Sequence, residues 1–322
     1  MIRWGILSTG TIAKNFARTA RQMGDVALCA VASRSQESAD AFGDAYGIER
    51  RYASYEALAA DPQVDIVYVA TPHSRHFEDM KLLIAAGKHI LCEKSFTTDA
   101  AQAEEIFRLA REKGVFVMEE FWTKTIPVYR EVERLLAQGV IGDIRAVTAQ
   151  YGYTTARQGR KFDASLAGGT LLDIGVYAIG FACMILGEHF DSIRSQLIMN
   201  PEGTDAIDAI LLRRGDAVAQ LTCAIGCQMP THGAVYGTKG HIDIPEFKNP
   251  ECVTLCLDAQ TPREIAAPFE VNGYEYEIRE AERCLAAGQK ESALLSPQWT
   301  VSVMRIMDEV RRQNGMRFPF EA

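Results

Sequence analysis

A doubly wound parallel α/β domain, followed by an α+β domain with a large, mostly antiparallel open sheet, is the fold that this sequence predicts. Three observations predict it. Over the first 120 residues, short apolar runs alternate with segments of helical spacing. A glycine-containing turn stands directly after the first apolar run. Beyond about residue 121 the alternation stops, and extended segments follow one another with few helices between them.

The elements justify this in order. "IRWGIL" is a short apolar strand, and "STGTIAKNFARTARQM" after it has helical spacing. "VALCAVAS" is a second strand and "SQESADAFGDAYG" a second helix. "VDIVYVATP" is a strand followed by the helix "HFEDMKLLIAAG", which closes on Gly87. "HILCE" is a strand followed by "TDAAQAEEIFRLAREKG", a helix closing on Gly114, and "VFVME" is the next strand. Strands that are apolar throughout belong to a parallel sheet covered on both faces. Next, "VYREVERLLAQGVIG" and "GTLLDIGVYAIGFACMILG" have helical spacing, whereas "IRAVTAQYGY", "SIRSQLIMN", "DAILLRRGDAVAQLTCAIGC", "GAVYGTKGHIDI" and "CVTLCLDA" are extended, with "RRGDA" a hairpin turn. Two helices, around "YEYEIREAERCLAAG" and "PQWTVSVMRIMDEVRRQNG", end the chain. The division expected is residues 1–120 and 121–322, with room for the C-terminal helix to pack back on the first domain.

Bulk properties bound the function. The chain has 322 residues, 48% hydrophobic and 24% charged, which is ordinary for a globular protein with a large core. A formal net charge of −8 argues against broad nucleic-acid binding. No apolar run approaches the roughly 20 residues of a membrane span, so no membrane is expected. "MIRWGILSTG" lacks the regions of a signal peptide, and a cytoplasmic setting is expected. The eight cysteines lack any CxxC spacing. Cys223/Cys227 and Cys252/Cys256 are four apart, which puts each pair on one face of a strand, and the expectation is buried free thiols. His73 and His76 stand apart from other ligand types, so no metal is expected.

The first turn, Ser8-Thr9-Gly10-Thr11-Ile12-Ala13, overlays G-x-G-x-x-G/A, with Ser8 at the first glycine and Ala13 at the last. Gly10 lets backbone approach a pyrophosphate, and the following helix N-terminus supplies amide donors. A Rossmann dinucleotide site is expected here, the alternative being a plain strand–helix turn. The second strand ends Ala32-Ser33-Arg34, without the acid that holds a ribose diol, while Arg34 suits a 2′-phosphate. NADP(H) is therefore expected ahead of NAD(H). Glu93 and Lys94 end a parallel strand, where such sheets bind ligands, and "ATPHSRH" ends the preceding one at the same crevice.

Together "GILSTGTIA", "ATPHSRH", "CEKS" and "GGTLLDIGVY" resemble the glucose–fructose oxidoreductase / inositol dehydrogenase / MocA (Gfo/Idh/MocA) family nearly end to end. "MEEFWTKTIPVYREVERLLAQGVIGDIR", "GTKGHIDI" and "EVRRQNGMRFPFE" carry a closer similarity to its dimeric dihydrodiol dehydrogenase / NADP-dependent D-xylose dehydrogenase branch. The resemblance implies cofactor contacts at Ser8, Gly10, Thr11, Ile12, Ser33, Arg34, Thr71, Pro72, His73, His76, Glu93 and Lys94. It implies a substrate wall at Trp122, and a homodimer paired through the open face of the second sheet. The family has a proline, often after a cis peptide, where this chain has Ser95. It has Asp-x-x-x-His where this chain has Asp173 and Tyr177, the tyrosine being the form of the dihydrodiol branch.

Asp173 and Tyr177 are four apart on a helix and so share a face, with Gly168 and Gly169 allowing close approach before it. Tyr177 is the candidate acid/base. A free phenol titrates near ~10, and a nearby Lys94 ammonium would favour its ionised form. Lys94 would also hold the reacting oxygen, and Asp173 would orient Lys94 or a substrate hydroxyl. The function expected is NADP-dependent hydride transfer to or from a small polyol, sugar or trans-dihydrodiol. The alternatives are an NAD-dependent inositol- or glucose-type dehydrogenase and a non-catalytic nicotinamide-binding sensor.

Overall fold

The computed structural model describes residues 1–321. The chain forms two units, the first of Met1–Phe121 with Glu270–Val301, the second of Trp122–Phe269 with Ser302 onward. The segment Glu270–Val301 thus belongs with the first unit, a return that a single cut near residue 120 does not contain.

In the first unit β1 (Arg3–Leu7), α1 (Thr11–Met23), β2 (Ala27–Ala32) and α2 (Gln36–Tyr46) follow the expected alternation. Next come β3 (Arg50–Tyr52) and α3 (Tyr55–Ala59), two elements too short to show a period in sequence. Then β4 (Ile66–Val69), α4 (His73–Ala85), β5 (His89–Glu93), α5 (Ala100–Lys113) and β6 (Val117–Glu120) complete the pattern. Pro72 is the N-cap of α4, so that helix begins three residues ahead of "HFEDM" and carries both His73 and His76 in its first turn. Asp99 caps α5 by accepting from Gln102 N at 2.8 Å. The strands pair in parallel in the order β3-β2-β1-β4-β5-β6. Their apolar side chains, from Ile6 and Leu7 to Ile90, Leu91 and Met118, are fully buried. Covering helices on both faces explain why these strands are apolar without alternation.

In the second unit α6 (Pro127–Ala137) leads to β7 (Ile144–Tyr153), then a π-helical turn at Leu171–Gly175 running into α7 (Val176–Leu186). The rest is sheet: β8 (Ser192–Met199), β9 (Asp205–Arg214), β10 (Ala217–Ile225), β11 (Met229–Gly237), β12 (Gly240–Pro245), β13 (Cys252–Leu257) and β14 (Arg263–Ala266). The eight-stranded order is β14-β13-β12-β11-β7-β10-β9-β8, with β7–β10 the parallel pair and every other pair antiparallel. Gly215 and Asp216 form the β9–β10 hairpin turn. Finally α8 (Glu275–Ala286) lies in the first unit, and the division between units falls within α9 (Pro297–Gln313).

Two expectations need correction. The helical stretch Ala164–Leu186 is long and apolar enough to cross a membrane, although no such run is expected from sequence. It is a core helix, since 89% of its most apolar window is buried. The cysteines are free, but they are not uniformly buried. Cys223 is buried on β10, whereas Cys227 lies beyond the strand end and is exposed; Cys252 and Cys256 are half-buried. Four-residue spacing fails for the first pair because β10 stops at Ile225, before the second cysteine.

Candidate active site

In the first unit the sequence-predicted cofactor residues lie at or just beyond the carboxyl ends of β1, β2, β4 and β5. Ser8 N donates to Ala32 O at 2.9 Å, and Ser8 takes a φ of 103°, the left-handed region that the first glycine of such a turn ordinarily occupies. A Cβ on Gly10 would meet nothing nearer than Ser8 Oγ at 3.6 Å, so this side of the turn is open. Thr11 and Ile12 open α1, whose first turn carries neither an acid nor a side-chain cap, which leaves its amides available to an anion. Thr9 Oγ1 lies 3.3 Å from Ser33 Oγ, tying the turn to the end of β2. Arg34 follows, exposed. At the end of β4, Thr71 Oγ1 is buried and has no hydrogen-bond partner among the described residues. An open turn, bare amides, a cation at the end of β2 and an orphaned hydroxyl fit a dinucleotide.

His76 has a different part from the one expected. It is fully buried, with Nε2 2.8 Å from Thr71 O and Nδ1 2.9 Å from Ser95 O. With both nitrogens against carbonyl oxygens and no exposed edge, it fastens the end of β4 to the Lys94–Ser95 segment and does not present an atom to a ligand. His73 is buried beside it, the rings 5.7 Å apart and edge-on. The Lys94–Ser95 peptide is cis, and Lys94 is half-buried just past β5.

Behind Lys94 stands a buried acidic group that the sequence alone does not single out. Tyr68 donates to Glu93 Oε1. Thr300 Oγ1 donates to Glu119 Oε2 at 2.8 Å, and burial pushes the Glu119 carboxyl up to about 7 despite that bond. Glu120 and Glu277 are buried neighbours. Burial first, then the charges around them, holds a proton on this pair well above the usual carboxylate range. Lys94 is a cation whose field favours ionisation of Glu119 and Glu120.

In the second unit, Gly168 and Gly169 precede the π-helical turn. A Cβ on Gly169, whose φ is 124°, would stand 1.9 Å from Asp205 Oδ1. That carboxylate also accepts from Leu171 N, and Thr170 Oγ1 donates to Ala206 O at 2.9 Å and accepts from Ile225 N at 3.1 Å. The turn is thus bolted to β9 and β10, and it presents Asp173 and then Tyr177, which are 5% and 9% exposed. A π-helical turn widens the spacing that a regular helix would give them, a departure that sequence periodicity does not carry.

Asp173 is gripped. Arg160 Nη2 donates to Oδ1 at 2.7 Å, and Tyr153 OH donates to Oδ2 at 3.0 Å. Lys161 Nζ donates to the Tyr153 oxygen at 2.6 Å and lies 3.9 Å from Asp173 Oδ2. Burial, then the Asp173 charge, holds the Tyr153 phenol protonated far above its ordinary range; burial pushes Tyr151 up to about 12. Trp122 is half-buried, with Lys248 Nζ 5.5 Å above its ring. Tyr153, Arg160 and Lys161 are the residues that sequence reasoning missed. Their signal was the basic, aromatic run "YGYTTARQGRKF" ahead of the double glycine.

Residues 2–121 match the model of an oxidoreductase family with an NAD-binding Rossmann fold, and residues 129–243 match the GFO/IDH/MocA C-terminal domain. The chain is 34% identical over 327 residues to trans-1,2-dihydrobenzene-1,2-diol dehydrogenase of Xenopus laevis, covering 98% of this chain and 99% of that one. It is 33% identical over 330 residues to the Mus musculus enzyme of the same name, covering 99% and 98%. Among solved structures, the 3-ketoreductase KijD10 from Actinomadura kijaniata, in complex with NADP and TDP-benzene, superposes with a TM-score of 0.88 at 28% identity over 97% of this chain and 98% of that one. The aldose-aldose oxidoreductase from Caulobacter crescentus, complexed with glycerol, shares the fold with a TM-score of 0.89 at 23% identity over 97% of each chain. With both family models matched and relatives aligned end to end, the chain belongs to the Gfo/Idh/MocA family of nicotinamide-dependent oxidoreductases.

Proposed function

We propose that this chain is an NADP(H)-dependent dehydrogenase that interconverts a hydroxyl and a carbonyl on a sugar or vicinal diol, of the trans-dihydrodiol or D-xylose type. Dihydrodiol dehydrogenases at about one-third identity over the whole chain support the substrate class. The preference for NADP(H) rests on one observation: β2 ends in Ser33-Arg34, a donor pair with no acid, and Arg34 is exposed at that strand end. An NADP complex of a relative at 28% identity is consistent with it.

When bound, the nicotinamide supplies or accepts the hydride. The chain supplies the rest. Ser8, Gly10, Thr11 and Ile12 would hold the pyrophosphate through backbone amides. Ser33 and Arg34 would take the 2′-phosphate, and Thr71, Pro72, His73 and Glu93 would line the nicotinamide end, with His76 fixing the backbone of Thr71 and Ser95. Lys94 donates to the reacting oxygen and stabilises the charge that grows on it. Tyr177 gives or takes the proton at that oxygen through its hydroxyl. Asp173, already held by Arg160 and Tyr153, is a fixed acceptor for a substrate hydroxyl. Trp122 forms an apolar wall.

A homodimer through the second sheet is part of the proposal. Leu211, Val218 and Tyr236 are exposed at 48%, 39% and 39% on β9, β10 and β11, while alternate residues of these strands are buried. Light scattering tests it.

The experiment for the function is a panel of aldoses, inositols and trans-dihydrodiols, followed at about 340 nm with NADP(H) and NAD(H) separately. Turnover of a diol or aldose with NADP(H) is expected. Turnover of inositols alone with NAD(H), or none with any substrate, contradicts the proposal.

A further inference from the structure

Two aspartates of the second unit lie under the π-helical turn, and the chemistry proposed above makes no use of them as acids. Asp205 and Asp208 are three apart on β9, a spacing that in a regular strand points to opposite faces. Here Ile198 of β8 stands opposite Ile207 and Met199 opposite Asp205, so Ala206 is an extra residue. That bulge turns both aspartates to the buried face, where both are fully buried and their carboxyls hydrogen-bond to one another.

Asp205 Oδ2 accepts from Leu171 N, the first amide of the turn. Asp205 Oδ1 and both oxygens of Asp208 find no other donor among the described residues, and no cation acts on the pair there. Cys223, opposite Asp208 on β10, is the titratable group facing the pair, a thiol that burial and then the Asp208 charge keep neutral. From β8 the residue opposite Asp208 is Leu197. On the turn Asp173 alone titrates, and it pairs with Arg160.

Two ionised carboxylates in contact, away from water and cations, would each bury an uncompensated charge. One proton between them removes that cost, because a protonated carboxyl is a donor and a carboxylate an acceptor. Burial first, then the Asp205 charge, holds a proton on Asp208 well above the usual carboxylate range. Asp205, which accepts from Leu171 N and from Asp208, is the carboxylate of the two.

The turn rests on this pair at both ends. A Cβ on Gly169 would stand 1.9 Å from Asp205 Oδ1, and one on Gly175 would stand 3.3 Å from Asp208 Oδ2. A π-helical turn is a rare departure from regular helix and needs support from around it. Asp173 lies within the turn, and Tyr177 lies in the first turn of α7 directly after it.

We propose that Asp205 and Asp208 share one proton at neutral pH, and that this acid–carboxylate pair is a positioning device for the reaction. It holds the register of the π-helical turn and so the placement of Asp173 and Tyr177. The inference rests on the dehydrogenase function proposed above, in which those two residues act.

The test compares wild type with Asp208→Asn, whose amide donates where the acid did, and with Asp208→Leu, which keeps a side chain of similar size and removes the donor. Infrared spectra at neutral pH read the carbonyl stretch of protonated carboxyls, and Asp208→Asn should lose one such band. Hydrogen exchange reads residues 168–177, whose protection should hold in Asp208→Asn and fall by about tenfold or more in Asp208→Leu. With D-xylose and NADP+, kcat per NADP(H)-binding site should stay within about threefold of wild type in Asp208→Asn. In Asp208→Leu it should fall by about tenfold or more while NADP(H) affinity holds. An unchanged carboxyl band in Asp208→Asn, or a loss of kcat there as large as in Asp208→Leu, overturns the inference. Wild-type turnover and protection in folded Asp208→Leu overturn it as well. If Asp208→Leu does not fold, the infrared band and the turnover of Asp208→Asn decide. If wild type does not turn over D-xylose, that result counts against the dehydrogenase reading for this sugar, and the infrared and exchange results decide the inference by themselves.

Discussion

Tyr153 donates its only hydroxyl proton to Asp173 across 3.0 Å and thereby fixes one of the two oxygens of the carboxylate. The other oxygen is fixed by Arg160. An aspartate so held, 5% exposed, is a preorganised acceptor whose orientation does not wait for substrate.

Tyr153→Phe leaves that buried oxygen one donor short. A loss of about 1–2 kcal/mol in stability is expected, with kcat/KM down by about tenfold. Cofactor affinity should hold, because the residue belongs to the unit that lacks the phosphate turn. Urea unfolding and steady-state kinetics check this. A variant unchanged in both would show that Asp173 is oriented by other groups.

Glu119 links pH to stability. Burial pushes its carboxyl up to about 7 in the folded chain, from about 4.5 for an exposed glutamate. Between those values the native state binds the extra proton, so stability from this group falls as pH rises from 4.5 to about 7 and is level above. The full loss is roughly 3 kcal/mol. Glu119→Gln should therefore be little changed near the lower limit and gain relative to wild type above pH 7. Unfolding midpoints that track wild type across this range would contradict it.

Gly169 separates a backbone need from a space need. Gly169→Ala must place a methyl on the Asp205 carboxylate at a φ of 124°. A loss of about 3 kcal/mol or more is expected. Gly24, with a φ of 75° and nothing within 4 Å of an added Cβ, is the comparison, and Gly24→Ala should cost about 1 kcal/mol. Equal losses in thermal unfolding would mean that the close approach to Asp205 is not limiting.

Arg34→Ala should lower NADP(H) affinity by about tenfold or more and leave NAD(H) nearly untouched, because one charged contact to a phosphate is removed. Titration of each cofactor checks it. An unchanged NADP(H)/NAD(H) ratio would place the phosphate contact elsewhere.

The legible part of the molecule was the part with a period. Apolar strands such as Ile66–Val69 between helices that end at Gly24, Gly47 and Gly114 announce a parallel sheet, and the turn from Ser8 to Ala13 places its ligand end. Arg50–Tyr52 and Tyr55–Ala59 escaped because three and five residues complete no pattern. The return of Glu270–Val301 to the first unit is a tertiary choice that one helical stripe does not reveal. Asp173 and Tyr177 were chosen by resemblance and by a regular helical spacing, which the π-helical turn at Leu171–Gly175 alters. Tyr153, Arg160 and Lys161 were not, because their roles come from a loop folding back on a strand that, in sequence, only alternates. His76 was expected at the cofactor because of its place in "ATPHSRH"; only its two carbonyl partners reveal a structural part.

The most direct test of the central claim is a kinetic cycle of Lys94→Met, Tyr177→Phe and the double variant, with NADP(H) binding measured alongside kcat. Each single substitution should lower kcat by roughly a hundredfold or more, the scale of one positioned acid/base or electrostatic contact. NADP(H) affinity should fall far less, and the double variant should be little worse than the worse single one, since both residues are assigned to one reacting oxygen. Near-normal turnover in either folded single variant that still binds NADP(H) would contradict the account.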